Sequence, residues 1–212
     1  NFLRAFVDWM IDRANTAKVF DGSVVLCQPI EMGMEDAINA QNGVYTLLMR
    51  GIENNKVVKR AEVITSVSRC INPYRDFDSL IEIAKNPDIK VIVSNTTEAG
   101  IAYRVGDKLT DRPPSSFPAK MTVILYERYK EFKGEENKGL LILPVELIER
   151  NGDNLKKCIL KYASDWNLEQ GFFDWLENAN CFANTLVDRI VTGYPRDEIN
   201  EISNELGYED NI

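Results

Sequence analysis

The residues best equipped for chemistry stand at the ends of apolar runs. Val91-Ile92-Val93 reads as a buried strand and stops at Ser94-Asn95-Thr96-Thr97-Glu98, five side chains able to make hydrogen bonds. In open α/β sheets ligands sit beyond the carboxyl ends of strands, so this loop is a candidate binding edge. The alternative is that Asn95 to Glu98 merely cap the next segment. Gly100, just beyond, lets backbone approach closely. Asn95-Thr96-Thr97 also fits an N-glycosylation acceptor, which requires a secreted surface loop that nothing else suggests. Asp188 and Arg189 follow another apolar run end, Thr185-Leu186-Val187, and are open to reading as an ordinary buried ion pair. Glu146 and Asn151 belong to the loop after the apolar run Gly139–Leu143, where Asn151-Gly152 would also suit a turn and helix cap. Glu31 follows the run Ser23–Ile30, where dinucleotide-binding sheets often hold an acid on the ribose. The intervening Pro29-Ile30 blurs that register, and an exposed loop glutamate is the simpler reading. Lys120, near the start of its helix, is a candidate for an anionic partner.

Histidine is absent, which removes the usual general base near neutral pH and every Ser-His-Asp or Cys-His arrangement within the chain. Chemistry here must use lysine or carboxylates, or draw its base from elsewhere. A zinc site of ordinary composition is also unexpected, so no metal is assigned. Cys27, Cys70, Cys158 and Cys181 are far apart, with no C-x-x-C spacing. Reduced thiols in a cytoplasmic protein are the economical reading, with Cys27 as a small core residue. The net charge of −8 and the lack of a basic patch argue against a nucleic-acid partner. No apolar run approaches the ~20 residues of a membrane span.

These residues need elements to position them. An amphipathic helix is expected at the start, with Leu3, Phe6, Val7, Met10, Ile11 and Ala14 on one face. Ser23–Ile30 reads as a strand ending at Pro29. Tyr45–Gly51 and Val57–Val67 read as strands joined by the turn Glu53-Asn54-Asn55-Lys56. Helices are expected at Asp76–Lys85, Phe117–Phe132, Asp153–Ala163 and Glu169–Asn178, strands at Val91–Val93 and Gly139–Leu143, and a last strand-like run at Phe182–Ile190. Tyr194-Pro195-Arg196-Asp197-Glu198 opens a further helix with acids in its first turn. Apolar strands alternating with helices indicate a doubly wound α/β domain, its mainly parallel sheet carrying an antiparallel hairpin insertion. Such domains usually open with a strand and a glycine-rich turn. Here the chain enters its first helix at once, without a methionine, so it is expected to be a fragment.

Seven stretches carry a resemblance: Asn1–Trp9, Gln41–Leu47, Ser66–Tyr74, Asn86–Ile101, Ser116–Lys120, Ile142–Gly152 and Asn184–Ile199. Together they resemble the polyol-specific long-chain dehydrogenases, the mannitol dehydrogenase family. V-D-R-I (Val187–Ile190) is like that family's signature, while N-T-T-E-A-G and G-Y-P-R-D-E resemble its hexuronate branch. The resemblance implies a Rossmann-like cofactor domain over residues 1–192, with residues 193–212 starting a helical substrate domain. It implies that the glycine turn and first strand stand ahead of Asn1-Phe2, and that the catalytic Lys, Asn and His lie beyond Ile212. It further implies NAD as cofactor, no metal, and a small-molecule sugar acid as partner. The expected reaction is hydride transfer between D-tagaturonate and D-altronate, with this segment alone inactive. Alternatives within the family are the epimeric fructuronate–mannonate pair, or mannitol. A non-catalytic α/β binding domain is the alternative of another class.

By the same resemblance Asp188 contacts substrate hydroxyls, and Arg189 steadies Asp188 or meets the substrate carboxylate. Ser94, Asn95, Thr96 and Glu98 border the pyrophosphate–nicotinamide half of the cofactor. Glu146 and Asn151, the other catalytic candidates, lie in the loop where the mannitol dehydrogenases carry C-D-N, whose asparagine helps bind the oxyanion; those positions read Val145-Glu146-Leu147 here, so that asparagine is missing. Either another donor replaces it or the oxyanion is held from the other domain.

Overall fold

The computed structural model describes residues 2–97, 99–186 and 190–212. The chain divides into two compact units, residues 1–72 with 189–212, and residues 73–188.

The first unit opens with a π-helical turn, Arg4–Asp8, that runs into α1 (Trp9–Thr16). The expected helix forms, but its buried side is displaced: Ala5 and Asp8 are buried while Met10 is exposed. A π turn holds more residues than an α turn, so the 3.6-residue stripe loses its phase there. Then come β1 (Val24–Cys27), α2 (Glu35–Ala40), β2 (Tyr45–Glu53), β3 (Lys56–Ile64) and β4 (Val67–Ile71). β1 is shorter than the Ser23–Ile30 run. Its ladder closes where Gln28 N donates to Ile71 O at 2.9 Å, because Pro29 next along has no N–H to offer. Cys27 is exposed at the end of β1, whereas Leu26 beside it is buried, so Cys27 is not the core residue expected.

β2 and β3 form the antiparallel hairpin, in register from Tyr45↔Ile64 to Glu53↔Lys56. Asn54 and Asn55 both take positive φ, as the tight hairpin turn requires. The run Val57–Val67 is not one strand. Thr65 turns to Asp12, Ser66 donates to Asp8 O at 2.8 Å, and the chain restarts as β4 with β1 as its parallel partner. α2 was not expected from the sequence. Its Asn39 pairs both ways with the backbone of Cys70, at 2.9 and 2.8 Å, giving the edge of β4 a side-chain partner. Leu26, Ile38, Tyr45, Ile64, Val67 and Cys70 make the core of this unit.

The second unit holds α3 (Phe77–Ala84), β5 (Val91–Ser94), α4 (Phe117–Glu131), β6 (Leu141–Pro144), α5 (Asn151–Asp165), α6 (Gln170–Asn178) and β7 (Cys181–Phe182). Asp76 caps α3 through Ser79 N, and Ser116 caps α4 through Ala119 N, with Pro118 in the first turn. β5, β6 and β7 are parallel, with Ser94 opposite Pro144 and Ile142 opposite Phe182. α4, α5 and α6 bury Met121, Leu125, Leu155, Ile159, Phe172 and Trp175 against Leu140 and Ile142. Among its described residues, the run Phe182–Ile190 is strand only at its start. After one more ladder bond, Ala183 N to Ile142 O, it departs toward α5; Val187, Asp188 and Arg189 lie outside the described residues.

The chain closes in the first unit with α7 (Ile199–Leu206), one turn later than expected. Tyr194–Glu198 makes a turn before it, Ile202 is buried, and Gly207 ends the helix at φ 80°. Arg50–Glu198 and Lys59–Glu205 ion pairs tie this segment to the hairpin. Parallel strands flanked by helices, with an antiparallel hairpin, make this a Rossmann-like α/β fold.

Candidate functional site

The carboxyl ends of β5, β6 and β7 bring several of the sequence candidates together. Pro144, the last residue of β6, offers no N–H, so the ladder to β5 closes one residue later, where Val145 N donates to Ser94 O at 2.8 Å. Glu146 is turned inward by this step and is only 3% exposed. Its Oε1 accepts from Thr96 N and Thr96 Oγ1, both at 3.0 Å, and its Oε2 accepts from Ser94 Oγ at 3.2 Å. Asn95 Nδ2 donates to Val145 O at 3.2 Å, a second tie between the two loops. Gly100 completes the turn. Its N–H donates to Thr97 O at 2.8 Å, and a Cβ there would stand 2.0 Å from Thr96 Oγ1. Only glycine leaves Thr96 room to reach Glu146.

Asn151 sits at the start of α5 with no exposed surface. Its amide donates to Pro144 O at 2.9 Å, Glu146 O at 3.1 Å and Thr185 at 3.2 Å, while its oxygen accepts from Gly152 N and Thr185 N at 2.9 Å. The side chain thus joins the strand ends to the helix start, and its donors are spent on backbone. Gly152 permits this approach, because a Cβ would come within 2.5 Å of Ala183 O. Thr185 and Asn184, not singled out in the sequence, belong to the same arrangement. Asn184 Oδ1 accepts from Asp153 N at 3.1 Å.

The segment of residues 104–116 is held from α5 and its C-cap Trp166. Tyr162 Oη meets Arg104 N at 2.7 Å, Ser116 Oγ at 2.9 Å and Asp107 Oδ2 at 3.2 Å, and Trp166 Nε1 donates to Asp107 O at 3.0 Å. Asp107 accepts from Ser115 N and Ser116 N. Burial opposes its charge, but the hydrogen bonds from Ser116 and Ser115 outweigh it and hold its pKa at about 2. Tyr162 reads in sequence as one more apolar position on the buried face of α5. Only its hydroxyl partners reveal what it does.

Of the remaining candidates, two are described, and neither shares these hydrogen bonds. Glu31 is exposed in a turn of the other unit, after β1. Lys120 is buried in the first turn of α4, donating to Ser115 O at 2.9 Å and lying 5.3 Å from the Tyr74 ring centre. Glu98, Asp188 and Arg189 lie outside the described residues. Chemically, the edge gathers hydroxyl and amide groups around a buried carboxylate, with the Ser94 and Thr96 hydrogens turned onto it and the hydroxyl oxygens able to accept. Such a surface suits hydrogen bonding to a polar ligand, and with no histidine in the chain it lacks the usual proton carrier.

Comparison with known proteins adds to this geometry. A family model described as the mannitol dehydrogenase Rossmann domain matches residues 1–212. Altronate oxidoreductases of Escherichia coli O7:K1 and Klebsiella pneumoniae are each 48% identical over 211 residues, covering 99% of this chain and 44% of theirs. The chain therefore spans less than half the length of the curated relatives it matches. Among solved structures, the Pseudomonas fluorescens mannitol 2-dehydrogenase ternary complex with NAD and D-mannitol superposes with a TM-score of 0.82, at 20% identity over 99% of this chain and 44% of that one. A substrate-free D-sorbitol dehydrogenase gives 0.77, at 18% identity over 100% of this chain and 45% of that one. At such identities these two superpositions speak for the fold.

Proposed function

The chain belongs to the mannitol dehydrogenase family, and from that premise we propose that it is the cofactor-binding part of an NAD-dependent altronate oxidoreductase. The reaction is the interconversion of D-tagaturonate and D-altronate by hydride transfer at a secondary carbon, in the cytoplasm. The observation that carries this reading is the 48% identity to altronate oxidoreductases across 99% of the chain. In this reading residues 1–192 form the cofactor domain and residues 193–212 lead toward the substrate domain.

The carboxyl edge of β5–β7 fits a dinucleotide. It offers the Ser94 and Thr96 hydroxyl oxygens as acceptors, the second amide hydrogen of Asn95 as a donor, a glycine at the close approach, and the sheet edge where such ligands sit in open α/β folds. The bound nicotinamide supplies or takes up the hydride. The chain's own residues bind and orient. Ser94, Asn95, Thr96 and Glu98 border the pyrophosphate–nicotinamide half, and Glu31 is the candidate for the ribose. Asp188 contacts substrate hydroxyls, while Arg189 steadies Asp188 or meets the substrate carboxylate. Glu146 and Asn151 shape the floor of the site from the β6 end. With no histidine in these residues, the proton is assigned to the remainder of the protein, where the family keeps its lysine.

The test is oxidation of D-altronate by the intact protein, with NAD or NADP as acceptor. Formation of NADH and D-tagaturonate, faster with NAD than with NADP, is the expected result. No nicotinamide reduction with either acceptor would overturn the reading.

A further inference from the structure

We propose that Glu146 is a positioning residue, a latch whose carboxylate fixes the Ser94–Thr97 loop in the shape that receives the dinucleotide. The inference rests on the functional reading above and adds a role that the reading does not require. A carboxylate with 3% of its surface exposed is costly to bury, and burial is tolerated only when both oxygens find donors. Among the described residues the donors to Glu146 are Ser94 Oγ, Thr96 N and Thr96 Oγ1, and none is a cation. All come from one loop, which is fifty residues distant in sequence and has no ladder partner after Ser94. The charge therefore holds that loop and nothing else described.

Two features deepen the point. Both oxygens accept from the loop, so among the described residues the carboxylate's hydrogen bonds all point at the segment it holds. Gly100 is compressed onto the same threonine, with 2.0 Å between its missing Cβ and Thr96 Oγ1, so the turn is built around the Thr96–Glu146 contact. Releasing the latch frees Thr96 to other rotamers and the loop to other paths. Cofactor affinity, not the chemical step, is the quantity that loses.

The experiment uses the intact protein with Glu146→Ala, Glu146→Gln and Thr96→Val, reading NADH dissociation constants by fluorescence titration beside KM and kcat. Glu146→Ala should raise the NADH constant and KM about tenfold or more, with kcat within about threefold. Glu146→Gln keeps an oxygen for both Thr96 donors and should recover most of the loss. Thr96→Val, which removes one donor, should fall between them. If Glu146→Ala does not fold, Thr96→Val decides alone: unchanged NADH affinity in it overturns the latch. Equal collapse of kcat in the Gln and Ala variants would also overturn it, because the charge would then act in the chemistry. Failure of the wild-type protein to reduce any hexuronate, with NADH affinity still set by Glu146, would sink the substrate assignment and leave the latch standing.

Discussion

Asp8 has no exposed surface, a hydrogen bond from Tyr45 at 2.9 Å, and one oxygen that meets no partner among the described residues. Burial pushes its pKa from 3.8 up to about 6, against the opposing effects of the Tyr45 hydroxyl and the Arg4 charge. A carboxyl that holds its proton more tightly folded than unfolded stabilises the acid side. Its contribution is complete below about pH 4 and is lost as pH rises through 6, about 3 kcal/mol in all. Asp107 works in the opposite sense and lower down, losing its contribution as pH falls from 3.8 toward 2. Between pH 4 and pH 6 the two therefore separate. The melting temperature should rise by several degrees from pH 7 to pH 5, and Asp8→Asn should remove that gain. An equal slope in the variant would contradict the assignment. Asp188, outside the described residues, carries a second prediction. If it holds substrate hydroxyls, Asp188→Asn costs about 1–3 kcal/mol in the transition state, lowering kcat and kcat/KM by roughly tenfold to a hundredfold. An ordinary buried pair would instead lower the melting temperature and leave kcat unchanged.

Arg128 shows how one side chain can hold several elements. It has no exposed surface and donates to Ala84 O and Asn86 O at the end of α3, Ile89 O before β5 and Lys138 O before β6, at 2.7 to 3.0 Å. Burial alone pulls its pKa down, and the carbonyls at the C-terminal end of α3 favour the charge. Arg128→Met leaves those carbonyls buried without donors, at a cost of about 3–5 kcal/mol, enough to lower a urea midpoint clearly. A midpoint equal to wild type would make the clamp dispensable. What was readable at this scale depended on length and locality. α4 runs within a residue of its expected span because its cap, proline and apolar stripe lie inside one window. The hairpin was readable because Asn54-Asn55 states its own turn. β4 was merged with β3, since a five-residue strand is defined by a partner some forty residues earlier. The strand end at Ser94 was legible from the apolar run that stops there. The Thr96–Glu146 contact was not, because nothing local to either residue mentions the other.

At the scale of the molecule, the chain spans two compact units, matches one family from residue 1 to residue 212, and covers 44% of its altronate oxidoreductase relatives. The net charge of −8 on these 212 residues means that, if the substrate is the proposed sugar acid, local cations must draw it in against the field of this segment. The resemblance to the hexuronate branch falls on two stretches, N-T-T-E-A-G and G-Y-P-R-D-E, while the C-D-N of the mannitol enzymes reads Val145-Glu146-Leu147. That combination is the ground on which a uronate is proposed over a neutral ketose. The most direct measurement is steady-state kcat/KM of the intact protein with NADH against D-tagaturonate, D-fructuronate and D-fructose. D-Tagaturonate should be preferred over both. A higher value for D-fructuronate would move the assignment to the epimeric series, and a higher value for D-fructose would contradict a uronate substrate altogether.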